Sequence, residues 1–185
     1  MTSTGHHRQN GQLLFMSKSI NFTELASRYN HPELWDIPIP KNENEMKIKS
    51  LYLIGSLRNE NVTSVAKKLR SLGLEVFDDW MAAGPTADDC WKEYETGRGR
   101  TYKEALRGYA ARHVFEFDKY HLDRCDAACL VLPAGKSGHL EFGYVSGSGK
   151  PTFILLDGQD TRFDVMYQFA TEVFHNEEEM VKYFD

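Results

Sequence analysis

Residues 127–147 constrain this chain more than any other stretch. They open with an apolar run, Ala127-Ala-Cys-Leu-Val-Leu132, bounded by Pro133 and Gly135, which reads as a strand buried on both faces. A Gly-rich turn with Lys136, Ser137 and His139 follows and leads straight into a helix. On that helix Leu140, Tyr144 and Val145 are spaced as one apolar face. An all-apolar strand belongs in a parallel sheet covered by helices. In such sheets ligands bind beyond the strand C-termini, where helix N-terminal N–H groups face the crevice. Glu141 falls in the first turn of this helix, where the dipole is expected to stabilise its anion.

The rest of the pattern agrees. Ser50–Ile54 reads as a strand, ended by Gly55-Ser56-Leu57-Arg58-Asn59. Val62, Val65, Ala66, Leu69 and Leu72 then recur at helical spacing, with Gly73 as the stop. Leu74–Phe77 reads as a second strand, and Asp78, Asp79 and Trp80 lie just past its end. This β-α-β run requires a right-handed crossover and a parallel sheet. A loop over Met81–Pro85 and a short helix over Asp88–Glu95 precede a longer helical region, Tyr102–Arg124, which carries Asp118. Thr152–Leu156 reads as a strand, Asp157–Asp160 as a turn, Phe163–Phe169 as helical and Glu172–Phe174 as a short strand. Asn176 caps a final helix, Glu177–Phe184.

The expectation is an α/β fold: a flavodoxin- or Rossmann-like, doubly wound parallel sheet of four to five strands, one domain over residues 48–185. Residues 1–47 differ in character. A polar start with His6-His7-Arg8, a short helix over Phe22–Tyr29 and the extended Ile37-Pro38-Ile39-Pro40 read as an N-terminal arm, partly disordered. The arm is expected to pack Trp35 and Ile37 on the core or on a neighbouring subunit.

Composition excludes several classes. A net charge of −5 over 185 residues argues against a nucleic-acid polymer as partner. No apolar run approaches the ~20 residues that a membrane span requires, so no membrane partner is expected. The polar start lacks a secretory h-region, and Cys90, Cys125 and Cys129 show no paired spacing; both point to the cytoplasm. His121, Cys125 and Cys129 have a spacing that suits a metal, but Cys129 belongs to the apolar strand, so no metal is expected. Two phosphate-loop lookalikes fail. Gly135-Lys136-Ser137 lacks the earlier Gly, whose place is taken by Leu130, and Pro151 after Gly147-Ser-Gly-Lys150 forbids a helix start.

What remains is a set of polar groups at strand tips or in the helix before a strand. They are Tyr52, Ser56 and Arg58, then Asp78, Asp79 and Trp80, then Asp118, Ser137 and Glu141. Singly each has a bland account as core, surface charge or solvated helix face. Their convergence on one sheet edge is what a polar ligand site requires, and several carboxylates with one Arg point to sugar chemistry.

Tyr52-Leu-Ile-Gly-Ser-Leu-Arg58 after a strand, with Gly138-His-Leu-Glu-Phe-Gly143 opening a later helix, resembles the nucleoside 2-deoxyribosyltransferase superfamily. The first motif is most similar to its 2′-deoxynucleoside 5′-monophosphate N-hydrolase branch. The resemblance spans residues 48–175 and implies cleavage or transfer of an N-glycosidic bond without metal or organic cofactor. It implies Glu141 as nucleophile, Asp118 as acid in the helix before the third strand, and Tyr52 as the phenol that orients Glu141 by a hydrogen bond. Asp78 or Asp79 is the next choice of acid, and Trp80 the stacking partner of the base. Gly55, Ser56, Arg58, Ser137 and Gly138 would line the sugar and its 5′ end. Asp164-Val165-Met166 would reach into the neighbouring subunit's site, so a homodimer or higher homo-oligomer is implied. The chemistry fits the residue types, because a carboxylate under C1′ stabilises or traps an oxocarbenium-like centre.

Two departures leave the substrate open. Asp164 stands where the monophosphate branch places a Ser, and an anion beside a phosphate is unfavourable. The turn before Glu141 is also one residue shorter than in that branch. A free deoxynucleoside substrate is therefore favoured, with the monophosphate hydrolase as the alternative and a non-catalytic nucleotide-sensing module as a third reading. Arg98, Arg100, Lys103, Arg107 and Arg112 form a basic segment, read either as a lid or as a helix face balanced by Asp88, Asp89, Glu93 and Glu95.

Overall fold

The computed structural model describes residues 48–156, 158 and 164–185. The N-terminal arm expected over 1–47, most of the turn expected over Asp157–Asp160, and Phe163 lie outside the described residues. Five strands, β1 (Ser50–Ile54), β2 (Glu75–Phe77), β3 (Ala127–Val131), β4 (Thr152–Leu155) and β5 (Glu172–Phe174), form one sheet in the order β2-β1-β3-β4-β5. Every pairing is parallel. This is the flavodoxin-like order, with its switch point between β1 and β3.

The apolar runs become strands because both faces are covered. Every residue of β1 and of β3 is buried. Along β1 the side chains alternate: Leu51 and Leu53 enter one core cluster, Tyr52 and Ile54 the other. Helices α1 (Asn61–Ser71) and α6 (Glu177–Phe184) cover the first face, with Val62, Val65, Leu69 and Met180 in its core. Helices α4 (Tyr109–Arg124) and α5 (Lys136–Gly147) supply Leu122, Phe142 and Val145 to the other. Cys125 and Cys129 belong to opposite clusters, so they do not share a helical face. Among the described residues no helix is long and apolar enough to cross a membrane.

Several boundaries differ from the sequence reading. The long helical region is two helices, α3 (Tyr102–Ala105) and α4, separated at Gly108. Thr101 and Glu104 open α3 with a capping box, and a Cβ at Gly108 would stand 3.0 Å from both the Ala105 carbonyl and Arg100 Nη1. The expected Met81–Pro85 loop is largely a 3-10 turn, Asp79–Ala83, and α2 runs Ala87–Gly97. The segment ahead of β5 is also a 3-10 turn, Val165–Phe169.

Helix α5 begins earlier than expected, with Gly135 as its N-cap. Its buried face is Gly138, Phe142 and Val145, whereas Leu140 is 76% exposed and Tyr144 is exposed too. The early start follows from Gly138, whose missing side chain lets the helix lie on the sheet. A Cβ there would meet Ile54 Cγ2 at 3.1 Å and Leu130 Cδ1 at 3.3 Å.

The switch point is closed by Asn59. Its buried amide donates to the carbonyls of Val131 at 3.2 Å and Pro133 at 3.3 Å, while its Oδ1 accepts from the Asn61 N–H at 3.1 Å. One side chain thus ties the β1 turn to the end of β3. Asn59→Ala is expected to lower stability by about 1–3 kcal/mol, since it strands buried carbonyls. Urea denaturation checks this: the midpoint should fall with the slope unchanged.

Candidate active site

Tyr52 sits in β1, Asp118 on α4 and Glu141 on α5, all on the face that these two helices cover. Tyr52 is 1% exposed, and its ring lies 5.1 Å from that of Phe77 on β2. The two carboxylates are partly buried. Burial, and after it the charges of Glu141 and Asp118, drives the Tyr52 phenol far above its ordinary range, so it is a neutral donor. Burial pushes Asp118 up to about 6. Burial and then the Asp118 charge push Glu141 up to about 7. Glu141 and Asp118 thus weigh on Tyr52, and Asp118 on Glu141, with burial the leading cause for each group.

This corrects one expectation. Glu141 is the sixth residue of α5, in its second turn, and the dipole's influence fades within the first. Desolvation wins, and the carboxyl is harder to ionise than usual. Among the described residues no hydrogen bond joins Tyr52 to Glu141, so the expected phenol contact is an electrostatic one here. Such bonds commonly tighten only when substrate is bound.

The helices carrying the two carboxylates are braced against each other. The Tyr144 hydroxyl donates to Asp123 Oδ1 at 2.6 Å, Lys119 Nζ donates to Asp123 Oδ2 at 2.5 Å, and Lys119 lies 5.0 Å over the Tyr144 ring. Lys119 adjoins Asp118 and Tyr144 stands one turn beyond Glu141, so this clamp joins the two helices close to the pair. Lys150 holds the end of α4 by donating to the carbonyls of Leu122 at 3.1 Å and Cys125 at 2.9 Å, and to that of Asp123. Sequence reasoning weighed Lys150 only as a phosphate-loop residue and missed this capping role.

The other expected site residues divide. Gly55 is needed for packing, because a Cβ there would fall 2.7 Å from Val62 Cγ2. Ser56 Oγ accepts from the Arg58 N–H at 3.2 Å and shapes the turn. Arg58 reaches Asp89 on α2 at 2.8 Å. Ser137 is exposed in the first turn of α5, and Gly138 faces the sheet.

Asp78 is withdrawn from solvent into an ion pair with Arg70, which also donates to the Val76 carbonyl at 2.8 Å. That pairing removes it as a free acid. Asp79 is exposed, and its charge reaches His121. Trp80 is pinned by its indole N–H to the Leu53 carbonyl at 2.8 Å and packs on both core clusters. It is a structural wedge under Gly55.

Asp164 caps the 3-10 turn, accepting from the Met166 N–H at 3.0 Å, and Met166 is exposed. This turn is fastened to α5 by His139, whose ring lies 3.3 Å from the Tyr167 hydroxyl, and by Ser146 Oγ donating to the Phe169 carbonyl at 3.1 Å. Within the basic segment, Arg100 is paired with buried Glu95 at 3.1 Å and Arg98 lies over the Tyr94 ring. Arg100 thus has one of the carboxylates expected to balance the segment, whereas the partner of Arg98 is an aromatic ring.

No protein-family model and no curated relative matches this sequence. Solved structures do match. A conserved protein from Enterococcus faecalis V583 superposes with a TM-score of 0.52 at 13% identity, covering 73% of this chain and 96% of that one. The 2-deoxyribosyltransferase of Bacillus psychrosaccharolyticus gives 0.50 at 19% identity, covering 72% and 91%. A Clostridium botulinum CMP N-glycosidase gives 0.43 at 16%, covering 74% and 99%. At these identities the likeness shows the fold: the chain is a five-stranded parallel α/β protein built as the deoxyribosyltransferase is built.

The raised carboxyl groups predict a pH signature. As pH rises, the unfolded chain loses these protons first, so the folded state holds more protons between about pH 4 and pH 7 and stability falls across that window. Moving Glu141 from 4.5 to about 7 corresponds to a loss on the order of 3 kcal/mol. Glu141→Gln should therefore gain stability over wild type as pH rises from 4 to about 8, read as the difference between their denaturation midpoints.

Proposed function

We propose that this protein cleaves or transfers the N-glycosidic bond of 2′-deoxynucleosides, with Glu141 as nucleophile. The observation that carries this reading is the coupled set of Tyr52, Asp118 and Glu141 beside the β1–β3 switch point. In the first step Glu141 attacks C1′ and the C1′–N bond breaks. Its electron pair leaves with the base, which takes a proton from Asp118. In the second step a new base or a water attacks C1′, gives its proton to Asp118 and frees Glu141, with overall retention. The likeness of fold to a 2-deoxyribosyltransferase supports this chemistry.

Of the two carboxyls Glu141 is raised to the higher value, so without substrate the single proton of the pair rests on Glu141. Two like-charged carboxylates that repel each other titrate as a pair, and the form holding one proton is the active one. Cationic character developing at C1′ favours the anion on Glu141 and shifts the proton to Asp118, where the departing base needs it. The alternative, a 2′-deoxynucleoside 5′-monophosphate N-hydrolase, draws on Ser56 and Arg58 in the β1 turn, where an anion would meet the start of α1. A panel of deoxynucleosides and their monophosphates, read for free base by chromatography, tests the reading. Glu141→Gln should lose several orders of magnitude in kcat with its fold intact. Wild-type kcat/KM should be bell-shaped, centred between the values of about 6 and about 7 of the two carboxyls. Near-normal turnover by Glu141→Gln would remove Glu141 as nucleophile.

The second part of the proposal is a homo-oligomer, at least a dimer, in which Asp164 and Met166 complete the partner's site. Val165, Met166 and Phe169 on the 3-10 turn are exposed, as are Leu140 and Tyr144 on the neighbouring α5. Apolar surface gathered in this way calls for a cover, and a second copy supplies one by symmetry. Light scattering at assay concentration should give a dimer or larger. A fully active monomer would refute it.

A further inference from the structure

We infer that Asp89 is a specificity-determining residue: by holding Arg58 it masks the cation of the β1 turn and reserves the crevice for a substrate with an uncharged 5′ end. This rests on the reading of the site as a nucleoside-cleaving one. The turn Gly55–Glu60 lies at the C-terminal end of β1, and Arg58 is its cation. Free, a planar guanidinium beside a helix start would take a phosphate in a two-pronged grip. Here its Nη2 is 2.8 Å from Asp89 Oδ2, a carboxylate delivered by α2, from the segment inserted between β2 and α4. Both side chains are more than half exposed, so the pair adds little to stability. Its consequence is competition, because an incoming phosphate must displace Asp89 to reach the guanidinium. Glu60 at the start of α1 adds negative charge on the same turn, which further disfavours a dianion.

The experiment uses the full chain as wild type, Asp89→Asn, Arg58→Gln and the double variant. It measures kcat/KM for a deoxynucleoside and for its 5′-monophosphate, and the affinity for inorganic phosphate by calorimetry. Asp89→Asn should raise the monophosphate-to-nucleoside ratio, and tighten phosphate binding, by about fivefold, the reach of an exposed ion pair. Both gains should vanish in the double variant, as a coupled pair requires. A ratio and a phosphate affinity that stay at wild-type values in Asp89→Asn, or gains that survive Arg58→Gln, overturn the inference. A wild type that releases base from neither substrate overturns the nucleoside-cleaving reading, and with it the assignment of the 5′ end. The phosphate affinities then report on the masking of Arg58 alone. Asp89→Ser serves as the second variant should Asp89→Asn not fold.

Discussion

The buried amide of Asn59 is the contact on which the crevice depends. A doubly wound sheet opens at its switch point because the chain leaves β1 and β3 toward opposite faces. The carbonyls at the end of β3 would then face the gap without partners, and buried carbonyls without partners are costly. Asn59 fills both from the other side, accepts the first N–H of α1, and so fixes the path of the β1 turn. Once that path is fixed, Gly55 must pass close to Val62, and Trp80 can lock its indole onto the Leu53 carbonyl. The walls of the site are thus hydrogen-bonded to the sheet itself.

Inside those walls the fold accepts an electrostatic penalty. Tyr52 is fully buried, and two carboxyls that both resist ionisation face it from different helices. An unbraced helix pair would relieve the repulsion by moving apart. The Lys119–Asp123–Tyr144 clamp on the outer surface opposes this, and Lys150 holds the end of α4 so that the helix enters β3 at a fixed angle. Each brace is partly exposed and individually weak; they act through geometry more than through energy.

Much of the fold was legible because its signals are local and strong. Uninterrupted apolar runs at Leu51–Ile54 and Ala127–Val131 announce strands covered on both faces, and the β-α-β spacing forces them parallel. Tyr52, Asp118 and Glu141 are singled out from a larger set of strand-tip residues by the resemblance to the deoxyribosyltransferase superfamily, and in the structure both carboxyls weigh on the ionisation of Tyr52, and Asp118 on that of Glu141. What was not legible depends on tertiary pairing. Asp78 and Trp80 look free at a strand tip, but Arg70 and the Leu53 carbonyl claim them. Leu140 and Tyr144 look like a core face, yet Gly138 lets the helix rest on a neighbouring stripe instead. The acidity of Glu141 was misjudged for a related reason. The dipole can be read from position in a helix, whereas desolvation is known only when the packing is known.

That misjudgement bears on mechanism. A carboxylate fully stabilised by a helix start would be a poor nucleophile, because the energy that makes it an anion also makes it content to remain one. A carboxyl raised by burial is the opposite: its anion is poorly satisfied until positive charge appears beside it. Asp118, raised by burial alone, would take over the shared proton from Glu141 as that happens. On the proposed reading, the same desolvation that weakens the folded state as pH rises to about 7 would make the anion respond to a developing oxocarbenium centre. On that reading the stability lost at the pair and the selectivity for the transition state would be two consequences of one burial.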